Sequence, residues 1–397
     1  MNLPFNVLAV AKNKLLLLVP MLLCGGVCGF LGARFIDEFF ISGDLALPLH
    51  YKLSVILWLP LAFLLPIAIH ELGHVWAGLL QGFEFKSYTV ASFHFYKEGV
   101  EVRFKLVKLN LKGFLGLALC LPPGGLTKEE LTKRFALYAL GGPLSNLLLA
   151  GVLLVPYFLQ WHAVTKATPA AYTLACFALI TGLISLLFFL LNMIPSKSGG
   201  FYTDGARVFN MLRGGDEAFL DSAILSVMAA SMGGTPPEEL DEKLLIEAVS
   251  MPVDSIFKNY CHAYLYTIKL QRQQVEQARY HLNKYAEAIA SIPAIGQGSV
   301  WLELAFFEAM YGADLALAKE HYAKATPSPF ISKDIFLRAE AAIVLKENKS
   351  TEAISLAEQA QQQLRNNMDQ GAAKAYKAWL SQIILEAQGK AANVLVA

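Results

Sequence analysis

The sequence predicts a mainly α-helical membrane protein: about four apolar spans with a membrane-proximal β-hairpin, followed by a soluble array of α-helical hairpins. Three observations predict it. Hydrophobic residues make up 55% of the 397 and charged residues 16%, a balance too apolar for an ordinary soluble chain. The long apolar runs crowd into residues 1–195, and several reach the ~20 residues that a helix needs to cross the hydrocarbon core. From about Ser255 onward the composition turns to Ala, Glu, Lys and Gln in amphipathic stretches, the pattern of helices packed in water.

The candidate spans are 15–35, 53–80, 135–160 and 171–194. Lys12 and Lys14 precede the first, which runs on without a small-x-small cleavage site and therefore reads as a retained anchor. Between the second and third spans lie nine basic residues (Lys86, Lys97, Arg103, Lys105, Lys108, Lys112, Lys128, Lys133 and Arg134), whereas the other two connections carry only Arg34, Lys52 and Lys166. That asymmetry puts the nine-charge connection, both termini and the carboxyl-terminal region on the cytoplasmic side.

Within that connection, Phe83 to Leu106 alternates apolar and polar residues around Lys97-Glu98-Gly99, as a β-hairpin near the membrane face would. The segment from Gly113 to Leu121 is too short to span, and is expected at the interface or as a partial insertion. Residues 1–52 then form an anchor and external loop, 53–215 a membrane core, 216–254 a linker region with Gly-Gly-Thr-Pro-Pro at 233–237, and 255–397 a helical domain. In the last, Tyr264–Ala288, Val300–Ala325 and Ile335–Leu364 each read as two helices across a short break. Their spacing resembles tetratricopeptide repeats, with a poor match to the repeat signature; a small helical bundle is the alternative.

A formal net charge of +1 leaves no electrostatic footprint for nucleic acid. Five cysteines without C-x-x-C spacing argue against both a disulfide framework and a thiolate metal site.

The chemistry concentrates at His70-Glu71-Leu72-Gly73-His74, inside the second span. Histidines at i and i+4 share a helical face and can hold zinc together, with the intervening glutamate able to take a proton from activated water. Three ionisable groups within five residues of a span cost ~2–3 kcal/mol for each charge. A metal would satisfy all three; histidines satisfied by neighbouring helices around a protonated Glu71 are the alternative. Zinc with two histidines needs a third protein ligand, and Asp204 follows the fourth span after Pro195 and a Gly199-Gly200 pair. It reads equally as that ligand or as an Asp-Gly turn or cap. Asn146, in the third span just after Gly141-Gly142-Pro143, is a buried amide that needs a partner, although the glycines could simply permit close helix packing.

Together these segments resemble the site-2 protease family of intramembrane zinc metalloproteases. The resemblance rests on His70 to His74, on Gly142-Pro143-Leu144-Ser145-Asn146, and on Asn192-Met193-Ile194-Pro195 followed by Asp204-Gly205, in family order over residues 53–205. It implies zinc held by His70, His74 and Asp204, Glu71 as the general base, and Asn146 and Asn192 positioning the substrate. Relatives often place the aspartate about five residues after the proline; here the separation from Pro195 to Asp204 is nine. The implied partner is a membrane-spanning or membrane-associated protein substrate, with a further protein partner possible on the helical tail. The expected location is a bacterial inner membrane. Two rivals stand beside this reading. One is a membrane-anchored scaffold with a vestigial metal site; the other is a metal or small-molecule transporter, against which the small number of spans and the lack of an inverted repeat count.

Overall fold

The computed structural model describes residues 26, 29–30, 49–107, 115–124, 126–161, 168–198, 201–253, 255–292, 294–312, 314–328 and 331–396. The expected span at 15–35 lies almost wholly outside them. The chain divides into two compact units, the first ending at Arg213 and the second made mainly of Gly214–Ala397.

The first unit is built on three helices: α1 (Leu49–Leu80), α2 (Lys128–Pro156) and α3 (Pro169–Met193). Each is long and apolar enough to cross a membrane, over Leu57–Leu80, Glu129–Leu159 and Thr173–Met193. Alpha helices satisfy every backbone group internally, as hydrocarbon requires. Helix α1 ends on Gly82, whose φ of 75° lets the Phe83 N–H reach back to the Gly78 carbonyl at 2.8 Å, a left-handed cap that glycine adopts without strain. Thr168 caps the start of α3 by accepting the Ala171 N–H at 3.2 Å. Helices α1 and α2 meet at their glycines: a Cβ on Gly141 would stand 2.4 Å from the Gly73 carbonyl oxygen, and one on Gly73 would strike the Ser145 hydroxyl. Only glycine permits this approach of two backbones.

Between α1 and α2 lies a four-stranded sheet of β1 (Glu84–Val90), β2 (Phe93–Glu98), β3 (Glu101–Leu106) and β4 (Gly116–Leu121), in the order β3-β2-β1-β4. The expected hairpin is β2–β3, with Phe95 opposite Phe104 and Lys97 opposite Val102, turning at Gly99 (φ 62°). One more reversal, at Ala91 with φ 50°, makes it a three-stranded meander. The segment expected at the interface supplies the fourth strand and an edge of the sheet. After α3, the strands β5 (Lys197–Ser198) and β6 (Phe201–Tyr202) pair before α4 (Asp204–Arg213) begins.

From Gly214 on, every described element is a helix. Three consecutive helical pairs are α7 (Ile256–Gln271) with α8 (Val275–Glu287), α9 (Ala294–Tyr311) with α10 (Leu315–Lys324), and α11 (Lys333–Lys346) with α12 (Ser350–Gln363), followed by α13 (Gln370–Val396). Left-handed residues turn the first and third pairs, Gln273 at φ 59° and Asn348 at φ 62°. Buried alanines 305, 309, 339, 342, 353, 357 and 360 let the helices pack closely around Phe306, Phe307 and Trp379. Inside that core Arg338 pairs with Glu303 and stacks on Phe306, Tyr376 and Trp379 at 4.6, 4.0 and 5.0 Å. The stretch expected as a linker is folded. It carries α5 (Asp216–Met232) and α6 (Glu242–Ser250), whose Leu220, Ile224 and Leu245 are fully buried in a second core with Cys261, Leu265 and Ile268 of α7.

Candidate metal centre

His70 and His74 sit one turn apart on α1, with their rings packed edge to face at 4.8 Å, because residues i and i+4 of a helix share a face. Both are buried although a polar ring inside a membrane-spanning helix is costly. The third group arrives from the far end of the unit. The Asp204 carboxylate oxygen Oδ2 lies 3.1 Å from Nε2 of His70 and 3.4 Å from Nε2 of His74, and the two Nε2 atoms are 3.2 Å apart.

Asp204 reaches this point because the chain between Pro195 and Asp204 closes on itself. The Thr203 N–H donates to the Ser196 carbonyl at 3.0 Å, the Thr203 hydroxyl donates to the Ile194 carbonyl at 2.9 Å, and the Ser196 N–H reaches the same hydroxyl oxygen at 3.2 Å. The β5–β6 excursion is thereby bypassed, which answers the long proline-to-aspartate spacing. Gly205 completes the approach: a Cβ there would be 2.2 Å from the Met193 carbonyl oxygen. Asp204 also opens α4, where the helix dipole favours a carboxylate. Asp204 thus starts a helix and at the same time faces both histidines.

The ring orientations are fixed from behind. Nδ1 of His74 is 3.0 Å from the Tyr138 carbonyl, which can only accept, so Nδ1 carries the proton and Nε2 presents a lone pair. The Gly142 N–H also approaches this nitrogen, at 3.3 Å; that longer contact is incompatible with a protonated Nδ1 and is the weaker of the two. Gly142 matters through its missing side chain. A Cβ there would lie 2.4 Å from Nε2 of His74 and 2.7 Å from Nε2 of His70, inside the space on which the three donors converge.

That space fits zinc. Among the described residues His70, His74 and Asp204 form a group of three potential ligands with converging donor atoms. Tetrahedral bonds of ~2.0–2.1 Å place neighbouring donors roughly 3.3 Å apart, and the triangle here measures 3.1, 3.2 and 3.4 Å. Two imidazole lone pairs and a carboxylate facing one another repel unless a cation or proton lies among them.

Glu71 stands beside this triangle with its carboxylate against β4. A Cβ on Gly116 would fall 2.5 Å from Oε1 of Glu71, so glycine at the start of that strand leaves room for the carboxylate. The strand is braced from α2 by the Tyr138 hydroxyl, which donates to the Ala118 carbonyl at 3.0 Å. Asn146 is fully buried, with its amide 3.1 Å from Nδ1 of His70. Asn192 faces elsewhere: its Nδ2 donates to the Phe188 carbonyl one turn back along α3, at 2.9 Å. Of the six residues singled out from the sequence, five are therefore gathered here and Asn192 is engaged with its own helix. Sequence reasoning missed Tyr138, which acts through its backbone carbonyl and left no side-chain signal, and Ser185 of α3, a single hydroxyl in an apolar helix that donates to the Asn146 carbonyl at 2.9 Å.

The model of Peptidase family M50 matches residues 58–232. The match covers the three spans, the sheet, all the residues named above and helix α5, and an M50 match suggests an intramembrane metalloprotease, a class for which zinc is the metal. No curated protein matches the chain, and no solved structure does.

Proposed function

We propose that this chain is an intramembrane zinc metalloendopeptidase that hydrolyses peptide bonds of membrane-spanning or membrane-associated proteins. The convergence of His70, His74 and Asp204 at zinc-ligand spacing, beside a carboxylate on the same helix face, carries the reading. When bound, zinc supplies Lewis acidity that acidifies water and polarises a carbonyl. Glu71 takes the proton from the attacking water and returns it to the leaving amine nitrogen. Asn192 remains the candidate for positioning the substrate; this requires its amide to exchange the Phe188 carbonyl for the substrate.

The outer position of β4 supports a mode of substrate binding. This strand lies next to Glu71, so an extended peptide added to it by backbone hydrogen bonds would run past the general base. In this reading the protease core is 53–215, the tail is a cytoplasmic tetratricopeptide-like array that selects a protein partner, and both termini face the cytoplasm of a bacterial inner membrane. Successive helical pairs with short turns support the array, and the nine basic residues of the connection support the orientation. An adjacent general base weighs against a vestigial or purely structural metal site.

Elemental analysis of the detergent-purified chain, with cleavage of a single-span model substrate, tests the proposal. Near-stoichiometric zinc is expected in the wild type and in Glu71→Gln, with a large loss in Asp204→Ala; cleavage should vanish in both variants. A wild type without zinc, or a Glu71→Gln variant that still cleaves, overturns it.

A further inference from the structure

The family resemblance assigns Asn146 to the substrate, yet its side chain is fully buried and its neighbours are a metal-side histidine and a serine of the next span. Nδ2 is 3.1 Å from Nδ1 of His70. On the other side the Ser185 hydroxyl donates to the Asn146 backbone carbonyl at 2.9 Å and lies 3.3 Å from its Oδ1. The row His70, Asn146, Ser185 thus crosses from α1 through α2 to α3.

Hydrogen-bond chemistry fixes what this row does. An amide can present nitrogen or oxygen to the same neighbour by turning about its last bond, and the partners decide which. With nitrogen toward His70, Nδ1 must accept and the ring proton sits on Nε2, which then has no lone pair for a metal. With oxygen toward His70, Nδ1–H donates to Oδ1 and Nε2 is free to ligate. Nδ2 then donates to the Ser185 oxygen, whose own hydrogen stays on the Asn146 carbonyl.

We propose that Asn146 is a positioning residue for the metal rather than a substrate contact: it accepts the Nδ1 proton of His70, fixing the tautomer and ring angle that present Nε2 to zinc, and Ser185 holds its amide in that sense. His74 is served in the same way by the Tyr138 carbonyl. The inference rests on the zinc-protease reading above. Partners behind a metal-bound histidine commonly govern affinity by about 10–100-fold.

The test is zinc affinity of the full chain in detergent, by competition with a chromophoric chelator, for wild type, Asn146→Leu, Asn146→Asp and Ser185→Ala. Cobalt-substituted spectra of each provide a second readout. Leucine keeps the volume and loses the acceptor, so affinity should fall about 10–100-fold and the cobalt bands should change. Aspartate keeps an acceptor and should restore affinity to within a few-fold of wild type; Ser185→Ala should fall in between. Wild-type zinc affinity and an unchanged cobalt spectrum in Asn146→Leu, with cleavage lost in both Asn146 variants, would return Asn146 to the substrate and overturn the inference while leaving the zinc-protease reading intact. A wild type that binds no zinc would instead remove the reading on which it stands.

Discussion

At the scale of single residues, the centre depends on what is absent as much as on what is present. Gly142 gives up a side chain so that two imidazoles can face a shared point, and Gly116 does the same for Glu71. The rings cannot retreat, because Tyr138 and Asn146 hold them from behind. Gly142→Ala should therefore abolish stoichiometric zinc while the helices remain folded, measured as metal content beside the circular dichroism of the same sample. Retained zinc would mean that the histidines reorganise freely. The histidine pair and Glu71 were legible in the sequence because a helix fixes the directions of i, i+1 and i+4. Asp204 was only half legible: its distance from Pro195 counts residues along the chain, and the hydrogen bonds of Thr203 that cancel the difference have no sequence signature.

At the scale of elements, secondary structure followed local pattern where one period governed. The three described spans and the helical pairs of the tail show this. It failed where an apolar run was short. Residues 116–121 alternate small residues with leucine, from Gly116 to Leu121 ahead of two prolines, a run that periodicity alone assigns to neither strand nor helix; the strand β1 beside it decided the matter. The pair α7–α8 carries a pH dependence that can be worked out. Nδ1 of His262 and Nδ1 of His281 are 3.0 Å apart in a buried contact, so one donates and the other accepts. Burial, aided by His281, Lys258 and Lys284, pushes His262 down to about 4, and burial, with Lys269, lowers His281 too. A histidine whose folded value lies below its unfolded one stabilises the fold above pH ~6.5 and loses that contribution as the pH falls toward the folded value. The urea midpoint of the tail, followed by Trp301 and Trp379 fluorescence, should drop between pH 6.5 and 4, and His262→Gln should flatten that dependence. An unchanged slope in the variant would locate the sensitivity elsewhere.

For the whole molecule, the boundary of the family match and the boundary of the folded units do not coincide. The match runs to residue 232, whereas α5, which ends there, buries Leu220, Ile224 and Val227 against α6 and α7 of the second unit. It is also tied to the far end of the tail: the Ser231 hydroxyl donates to Asp369 at 2.6 Å, Tyr264 donates to the other oxygen of the same carboxylate at 3.1 Å, and Asp369 caps α13. A chain cut after Met232 exposes that apolar face and should aggregate in mild detergent, whereas one cut after Arg213 should stay monodisperse and keep its zinc. Size-exclusion profiles with metal analysis read both. Aggregation of the shorter product alone would reverse the assignment of α5. The sequence concealed this arrangement because Gly-Gly-Thr-Pro-Pro at 233–237 marks a true turn, and a turn inside a domain looks like one between domains.

The closed excursion before Asp204 has a consequence for how such chains can change over time. Its ends, Ser196 and Thr203, are already pinned together, so extra residues between them add loop entropy of only ~0.6 kcal/mol per doubling in length and leave the carboxylate where it is. A ligand mounted behind a pinned loop is insulated from insertions and deletions that would misplace it on an open tether. Lengthening or shortening the chain between the proline and the aspartate would then leave the distance across its neck as it is.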